Sequence, residues 1–270
     1  MSGAAVRLPT PWRAVAGGQA DGVTYCLALR LDAGLLFLAD TRTSGGVDNV
    51  GTYRKLHVIQ PSPDRVFVLE SAGSLATTHE VLSRIDRDLN TEGAHESLAT
   101  VEHLYEAALY VGRLSLEVAD SHRAPLERIG ADVTSTFILG GQIAGDRPDI
   151  LLIYPEGNFV RTSDTVPFLQ IGERKYGKFL LELAVRAHVD MQTAGRIALG
   201  SMISTAHANV AVGPPYDMAI YRNGSLEVHE LRIEADHPYL AELDRVWTDE
   251  LLDAVNHLPP IPPDVLAHFG

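Results

Sequence analysis

The 270-residue sequence contains a single cysteine, Cys26, so it cannot form an intrachain disulfide. A lone thiol suits a reducing compartment, and we expect a cytoplasmic protein. The sequence also lacks any apolar run close to the roughly 18 residues that a membrane span requires. Residues 1–23 contain no apolar stretch of the length that a secretory signal needs. These absences argue against disulfide-stapled, secreted and membrane-spanning proteins.

Positive charge is also scarce. The chain has 35 Asp and Glu against 22 Lys and Arg, which gives a formal net charge of −13. Phosphate backbones and anionic membrane surfaces repel such a chain unless it carries a local basic stripe. No long block of like charges is present. We therefore expect neither a nucleic acid nor a membrane as a partner.

Metal-binding and phosphate-binding motifs are incomplete. Neither His79-Glu80 nor His229-Glu230 has a second histidine at helical spacing, and there is no cysteine pair. The segment from Gly172 to Lys178 has the glycine and lysine spacing of a P-loop. However, Phe179 stands where that motif needs Ser or Thr to hold magnesium. We therefore expect no metal and no cofactor.

The apolar pattern predicts groups of strands separated by pairs of helices. Strands are predicted at 24–31, 35–41, 53–59, 65–70, 133–139, 150–154, 158–161, 166–171, 216–222 and 226–233. Helices are predicted at 75–89, 95–122, 176–189, 192–207 and 236–257. This order favours two packed antiparallel sheets with helices outside, an α+β fold, over alternating βαβ units. We expect a leader at 1–23, one domain at 24–257 and a Pro-rich tail at 258–270.

The first predicted hairpin brings chemically useful side chains together. If Asp32-Ala33-Gly34 is its loop, residue i lies opposite residue 66 − i, which places Thr24 opposite Arg42 and near Asp40. Lys55, in the next strand, can reach the same place. A hydroxyl, a carboxylate and two cations form a candidate nucleophile site, although the same groups also build structural ion pairs.

A threonine hydroxyl is a weak nucleophile that needs a base. No histidine is well placed by sequence, but an N-terminal α-amine, with an ordinary pKa of about 7.7–8, suits the task near neutral pH. Lys55 nearby would disfavour the protonated amine, and Asp40 would keep Lys55 charged and oriented. This chemistry requires Thr24 to be the first residue of the working chain.

The segment TYCLALRLDAGLLFLADTR, residues 24–42, resembles the start of proteasome-type N-terminal-nucleophile hydrolases. It most resembles the bacterial proteasome-related family called Anbu (ancestral β subunit). Other segments similar to that family are DNVGTYRKL (48–56), YPEGN (154–158), FLQIGERKYG (168–177) and NVAVGPP (209–215). The resemblance spans about 24–257. It implies a four-layer αββα sandwich and like subunits assembled into rings or open helical assemblies.

The resemblance also implies roles for individual residues. Thr24 takes the place of the nucleophile, while Asp40, Arg42 and Lys55 match residues that support it. Gly73 matches the glycine whose backbone N–H serves the oxyanion hole. A donor there would stabilise a tetrahedral oxyanion by about 3 kcal/mol.

The sequence departs from proteasome β-subunits at three supporting positions. Glu173 follows Gly172 where those subunits carry a serine, Asn209 stands where they carry an aspartate, and Val212 stands where they carry a second serine. We treat Glu173 and Asn209 as possible supporting residues. Proteasome self-processing uses a glycine before the threonine, whereas Val23 precedes Thr24 here. We therefore expect that Thr24 is exposed by removal of 1–23, or that translation starts at Val23 and the initiating Met is removed.

The resemblance implies a threonine-type peptidase or amidohydrolase that cleaves peptide or related amide bonds inside a homo-oligomer. Its partners would be like subunits and a peptide or peptide-like substrate. Two alternatives stay open. One is a self-assembling scaffold without catalysis, and the other is an amidase for a dedicated small peptide-like substrate.

Overall fold

The computed structural model describes residues 24–44, 50–93, 96–128 and 132–266. The predicted leader at 1–23, the Asp48-Asn49 pair and the last residues of the predicted tail, 267–270, lie outside the described residues. Within the described ranges no helix combines the length and the apolar character needed to cross a membrane.

The described part of the chain has the predicted strands and helices in the predicted order, together with two short strands at 42–44 and 50–52 and a short helix at 263–266 that were not predicted. The strand predicted at 53–59 begins at residue 56, so Lys55 lies just ahead of a strand rather than within one. The strands are β1 (Tyr25–Leu31), β2 (Gly34–Asp40), β3 (Arg42–Ser44), β4 (Val50–Thr52), β5 (Leu56–Ser62), β6 (Arg65–Gly73), β7 (Ser135–Ile143), β8 (Asp149–Ile153), β9 (Phe159–Arg161), β10 (Phe168–Gly172), β11 (Tyr216–Arg222) and β12 (Val228–Ile233). The helices are α1 (Leu75–Leu89), α2 (Leu104–Glu127), α3 (Lys178–Ala184), α4 (Met191–Ala208), α5 (Pro238–Asn256) and α6 (Pro263–Leu266).

The strands form two antiparallel five-stranded sheets and a small hairpin. The first sheet has the order β10-β1-β2-β11-β12, the second has the order β5-β6-β7-β8-β9, and β3 pairs with β4. Every pair of neighbouring strands is antiparallel. This arrangement confirms the predicted α+β architecture.

Alternating side chains along the strands build three apolar layers. Cys26, Phe37, Val68 and Ile138 belong to the layer between the two sheets. The outer face of the second sheet packs on α1 and α2, and the outer face of the first sheet packs on α3, α4 and the start of α5. The layers therefore run helix, sheet, sheet, helix, as the αββα prediction requires.

The predicted register of the first hairpin is wrong by one residue. The structure pairs Cys26 with Ala39 and Leu31 with Gly34, so paired residue numbers add to 65 rather than 66. The turn is therefore the two-residue Asp32-Ala33, and Gly34 is a strand residue. Glycine is required at position 34 by the neighbouring strand β11, because a Cβ there would lie 1.9 Å from the carbonyl oxygen of Tyr221.

Two predicted helices are shorter than their apolar patterns. The helix predicted from residue 95 begins at Leu104, because Ser97 and Thr100 close a hydrogen-bonded turn ahead of it. The helix predicted from residue 176 begins at Lys178, and its last helical residue is Ala184. The apolar residues ahead of α2 are buried all the same, so burial alone does not distinguish a turn from a helix there.

Candidate active site

Asp40, at the end of β2, is the centre of a buried polar cluster. Its Oδ1 accepts hydrogen bonds from Oγ1 of Thr24 (3.1 Å), from the backbone N–H of Tyr25 (2.9 Å) and from Nζ of Lys55 (2.7 Å). Lys55 Nζ also donates to the backbone carbonyl of Arg42, at 2.5 Å. The structure therefore brings together Thr24, Asp40 and Lys55.

Burial and charge act in opposite directions on Asp40. Burial raises the pKa of its carboxyl above the ordinary value, while the Lys55 cation and the hydrogen bonds from Lys55, Tyr25 and Thr24 lower it. The second oxygen, Oδ2, is buried and has no hydrogen-bond partner among the described residues. Lys55 is buried as well, so the ion pair is shielded from water.

The corrected register explains why Asp40 meets Thr24. Tyr216 of β11 lies opposite Asp40, which fixes the end of β2 from the other side. Since Cys26 pairs with Ala39, Asp40 falls beside Tyr25 and accepts its N–H. The predicted pairing of Thr24 with Arg42 is not needed for the cluster.

The Arg42 side chain takes a different position from the one predicted. Its guanidinium donates to the carbonyl of Val210, at 3.1 Å, and packs on Gly213. A Cβ at Gly213 would lie 2.6 Å from Cζ of Arg42, so the guanidinium would have to move if a larger residue stood there. The Arg42 side chain thus fixes the segment after α4, and the Arg42 backbone carbonyl fixes the Lys55 ammonium.

The segment after β10 closes over the backbone of Thr24. Glu173 donates its N–H to the carbonyl of Thr24, at 2.7 Å. Gly172 has φ of +82°, and a Cβ there would lie 1.9 Å from the same carbonyl oxygen. The Glu173 carboxylate accepts a hydrogen bond from Nδ2 of Asn209, at 3.2 Å, and Asn209 Oδ1 accepts one from Ala211. The two predicted supporting residues therefore contact each other beside Thr24.

Gly73 ends β6 in the facing sheet. The thiol of Cys26 donates to the carbonyl of Ser71, so this end of β6 lies across from the start of β1. Gly73 has φ of +110°, and a Cβ there would lie 2.4 Å from the carbonyl oxygen of Thr134. Ser74 follows as the cap of α1, accepting from the backbone N–H of Thr77. Gly73 is thus fixed between a strand end and a helix start.

The structure also accounts for Cys26 and for the glycines of the P-loop-like segment. Cys26 is buried, and burial raises the pKa of its thiol well above the ordinary value, which fits an inert thiol. The glycines of the P-loop-like segment both have structural reasons. Gly172 makes room for Thr24, and a Cβ at Gly177 would lie 2.4 Å from the Tyr25 hydroxyl. Lys178 forms an exposed pair with Glu182.

Polar residues beneath the cluster were not predicted. The Tyr25 hydroxyl contacts Ser201 at 2.8 Å and accepts from Gln170, and Ser201 donates to the carbonyl of Gly177. Burial raises the pKa of Tyr25 to about 12. This network ties β1, β10 and α4 together directly behind Thr24. The hydroxyls are spread across the sequence, so no local pattern reveals it.

Glu70 is the other unpredicted group. It lies on β6 between Val68 and Ala72, whose side chains fill the layer between the sheets. Glu70 is fully buried, and neither carboxylate oxygen has a hydrogen-bond partner in the described part of the chain. Burial raises its pKa well above the ordinary value. A glutamate inside an apolar strand run was the available sequence signal.

The described ranges hold no group of three or more His, Cys, Asp or Glu side chains arranged to bind a metal ion. No protein-family model matches the chain, and the search of curated proteins gave no match. Solved structures do match it over most of its length.

Three of the similar structures come from different bacteria. The chain is 40% identical to an Anbu (Gly-1) mutant from Hyphomicrobium sp. strain MC1, covering 88% of this chain and 99% of that one, with a TM-score of 0.81. It is 37% identical to Anbu (ancestral beta-subunit) from Yersinia bercovieri, covering 88% and 100%, with a TM-score of 0.81. It is 36% identical to a chain of the helical assembly of the Anbu complex from Pseudomonas aeruginosa, covering 89% and 99%, with a TM-score of 0.83.

Proposed function

The chain belongs to the Anbu family of proteasome-related proteins, and we propose that it is a threonine hydrolase that cleaves peptide or related amide bonds. One observation carries the proposal: the Thr24 hydroxyl and the Lys55 ammonium share one buried oxygen of Asp40. Arg42 supports this centre through its backbone carbonyl, and Gly73 supplies the oxyanion donor.

The proposed reaction begins at the Thr24 hydroxyl. The α-amine of Thr24 accepts the proton from Oγ1 as Oγ1 attacks the amide carbonyl carbon. The resulting oxyanion accepts the N–H of Gly73, and Lys55 stabilises the negative charge that develops. The amine product leaves with the proton, and an ester to Thr24 remains. Water then hydrolyses this ester, with the α-amine again acting as base.

Glu173 and Asn209 take the supporting places in this proposal. Their hydrogen bond places a carboxylate and an amide next to the backbone of Thr24. We propose that they orient the α-amine in place of the serine and aspartate of proteasome β-subunits. No cofactor or metal takes part.

The mechanism requires a free amine at residue 24. We propose that the working chain starts at Thr24, after removal of 1–23 or after translation from Val23, and that its domain spans 24–257. The intact mass of the protein from its native cell tests this directly. A mass equal to that of the chain from Met1 would contradict both the start and the activity.

Labelling tests the catalytic proposal. An electrophilic probe that acylates N-terminal threonine is added to a chain whose first residue is Thr24, and the modified residue is identified by mass spectrometry. We expect labelling at Thr24 that is lost in Thr24→Ala and strongly reduced in Lys55→Ala. Thr52→Ala, at an exposed position, is the matched control and should label normally. No labelling of a folded chain with a free Thr24 amine would contradict the proposal.

A scaffold without catalysis is the second candidate, since Glu173 and Asn209 replace two residues that assist proteasome catalysis. We propose self-assembly under either function, because a relative from Pseudomonas aeruginosa forms a helical assembly. Normal assembly without any labelling would favour the scaffold. A peptide library, screened after positive labelling, separates a general peptidase from an amidase for one small substrate.

A further inference from the structure

The last long helix extends beyond the part of the chain that supports it. Leu240 of α5 is buried, Leu243 packs on the same core, and Trp247 donates its indole N–H to Ser204 of α4, at 2.9 Å. Beyond this point the support ends, because every side chain from 249 to 265 is exposed. We call residues 249–258 the α5 end.

The α5 end is amphipathic. Leu251 and Val255 follow Trp247 at intervals of four residues, so they continue the helix face that packs on α4. Leu252 lies beside them, and Leu258 follows the helix with 66% of its surface exposed. A short helix gains most of its stability from burying such a face. The apolar face of the α5 end is therefore suited to burial against a partner.

The charges of the α5 end are acidic. Asp249, Glu250 and Asp253 lie on this stretch, and Arg245 is the basic residue that pairs with Asp249. Two α5 ends packed against each other would bring these carboxylates together. The partner surface should therefore be apolar at its centre and basic at its margin.

Such a surface lies on the outer side of α3. Phe179 and Leu183, one helical turn apart, are 73% and 63% exposed, and Tyr176 precedes them on the exposed side. We call these three residues the α3 patch. Leu181 faces the core, so the patch is not needed for packing within the chain.

Basic residues surround the α3 patch. The exposed cations near it are Arg174, Lys175, Lys178 and Arg186. Glu182 is the acidic residue of α3, and it pairs with Lys178. The α3 patch is therefore complementary to the α5 end in both apolar character and charge.

We propose that the α5 end of one copy of this chain docks on the α3 patch of a second copy. Both surfaces are exposed in the single chain, so they do not cover each other within it. Large exposed apolar patches with polar margins mark interaction sites. If the contact is reciprocal it closes a two-fold pair, and if it is not it propagates along a chain of copies. The inference rests on the proposed self-assembly and gives it a location.

The interface would lie close to the candidate active site. The segment that leads into α3 begins with Gly172 and Glu173, which contact the Thr24 backbone. A second copy on the α3 patch would restrain this segment from outside. Assembly would therefore restrict the movement of the segment that begins at Gly172, beside the Thr24 backbone, without supplying a reacting group.

Cysteine cross-linking tests the contact. Val255→Cys and Phe179→Cys are made as separate full-length chains with tags of different mass, mixed, and oxidised by air with copper phenanthroline. Cys26 is buried, so we expect that it does not form a disulfide in this experiment. We expect a disulfide-linked pair that contains one chain of each kind. Val160→Cys, on an exposed position of the other sheet, is the matched control and should not cross-link to either variant.

Light scattering on the full chain separates the outcomes. We expect Phe179→Asp and Val255→Asp each to raise the dissociation constant of the assembly about tenfold or more, and Val160→Asp to leave it unchanged. An assembled protein that gives no mixed cross-link, or only Val255→Cys linked to itself, overturns this interface while self-assembly stands. A wild-type chain that stays monomeric overturns both. Loss of Thr24 labelling in a chain that still assembles and cross-links would contradict the proposed catalysis and leave this interface in place.

Discussion

Nζ of Lys55 lies 2.7 Å from Oδ1 of Asp40, and both side chains are buried at the end of β2. A buried pair of this kind contributes little over two apolar residues, but either charge left alone is costly. The same pair therefore governs both the proposed catalysis and the stability of the strand ends that carry it.

Removing one partner of this pair should destabilise the chain. We expect Lys55→Ala to lower the free energy of unfolding by about 3–5 kcal/mol, because the Asp40 carboxylate is left buried without its cation. Denaturant unfolding followed by circular dichroism measures the change. The double variant Asp40→Leu/Lys55→Met should lose less than the sum of the single variants. Additive losses would show that the two charges do not interact.

Gly172→Ala should affect both the stability of the chain and the position of Thr24. The effect should be larger than the backbone strain that alanine causes at any position with a positive φ. We expect a loss of about 2 kcal/mol or more together with reduced labelling of Thr24, because the new Cβ would collide with the Thr24 carbonyl. Gly224→Ala is the matched control, since Gly224 has φ of +74° with open space around it. It should cost about 1 kcal/mol and leave labelling intact. Equal effects on labelling would contradict this role of Gly172.

Glu70 should make the chain less stable as pH rises. Its pKa is raised in the folded state by burial, whereas the unfolded chain ionises it near its ordinary value of 4.5. Stability is therefore complete below that value and falls as pH rises towards the folded-state pKa. We expect Glu70→Gln to stabilise the chain by about 1–3 kcal/mol at pH 7 and to differ little at pH 4.

Urea unfolding at a series of pH values measures this effect. Glu92→Gln, at an exposed position, is the matched control and should change stability little at any pH. A Glu70→Gln variant that is less stable than the parent at pH 7 would contradict this account of Glu70.

His57 should make the chain less stable as pH falls, which is the opposite of the effect of Glu70. Burial, followed by the nearby Arg54 cation, lowers its pKa from 6.5 to about 4 in the folded chain. The unfolded chain takes up the proton first, so the stability contributed by the neutral ring is present above pH 6.5 and is lost as pH falls towards 4. We expect His57→Phe to reduce this loss of stability at low pH. Urea unfolding between pH 4 and 7 measures the change.

A matched substitution checks that the effect is local. His188→Gln changes an exposed histidine and should leave the acid-induced loss in place. Nuclear magnetic resonance of the His57 ring gives an independent reading. A ring that titrates near 6.5 would contradict the burial argument.

Much of the fold could be predicted because its signals are local. The strands are short apolar runs bounded by turn residues, and the side chain of Ser74 caps α1, which begins at Leu75. Thr24 and Asp40 could be connected because one hairpin joins their strands. Lys55 could be added because it lies in the next part of the chain.

Other features depend on partners far away in the sequence. Gly34 looks like a loop glycine, but β11 requires it as a strand residue, and this shifts the register by one. The Arg42 guanidinium turns to Val210 because Gly213 leaves room for it. The Tyr25 hydroxyl finds its partners on β10 and α4. None of these contacts has a local signal.

The sequence by itself thus determined the order of the strands and helices, the antiparallel architecture and the identity of the Thr24, Asp40 and Lys55 cluster, because chain connectivity and side-chain periodicity act over short distances. Only the tertiary structure decided the hairpin register, the direction of Arg42, the isolation of Glu70 and the unsupported face of α5. Those features depend on which distant surfaces meet, and steric fit and burial are set only when the two sheets and their helices have packed.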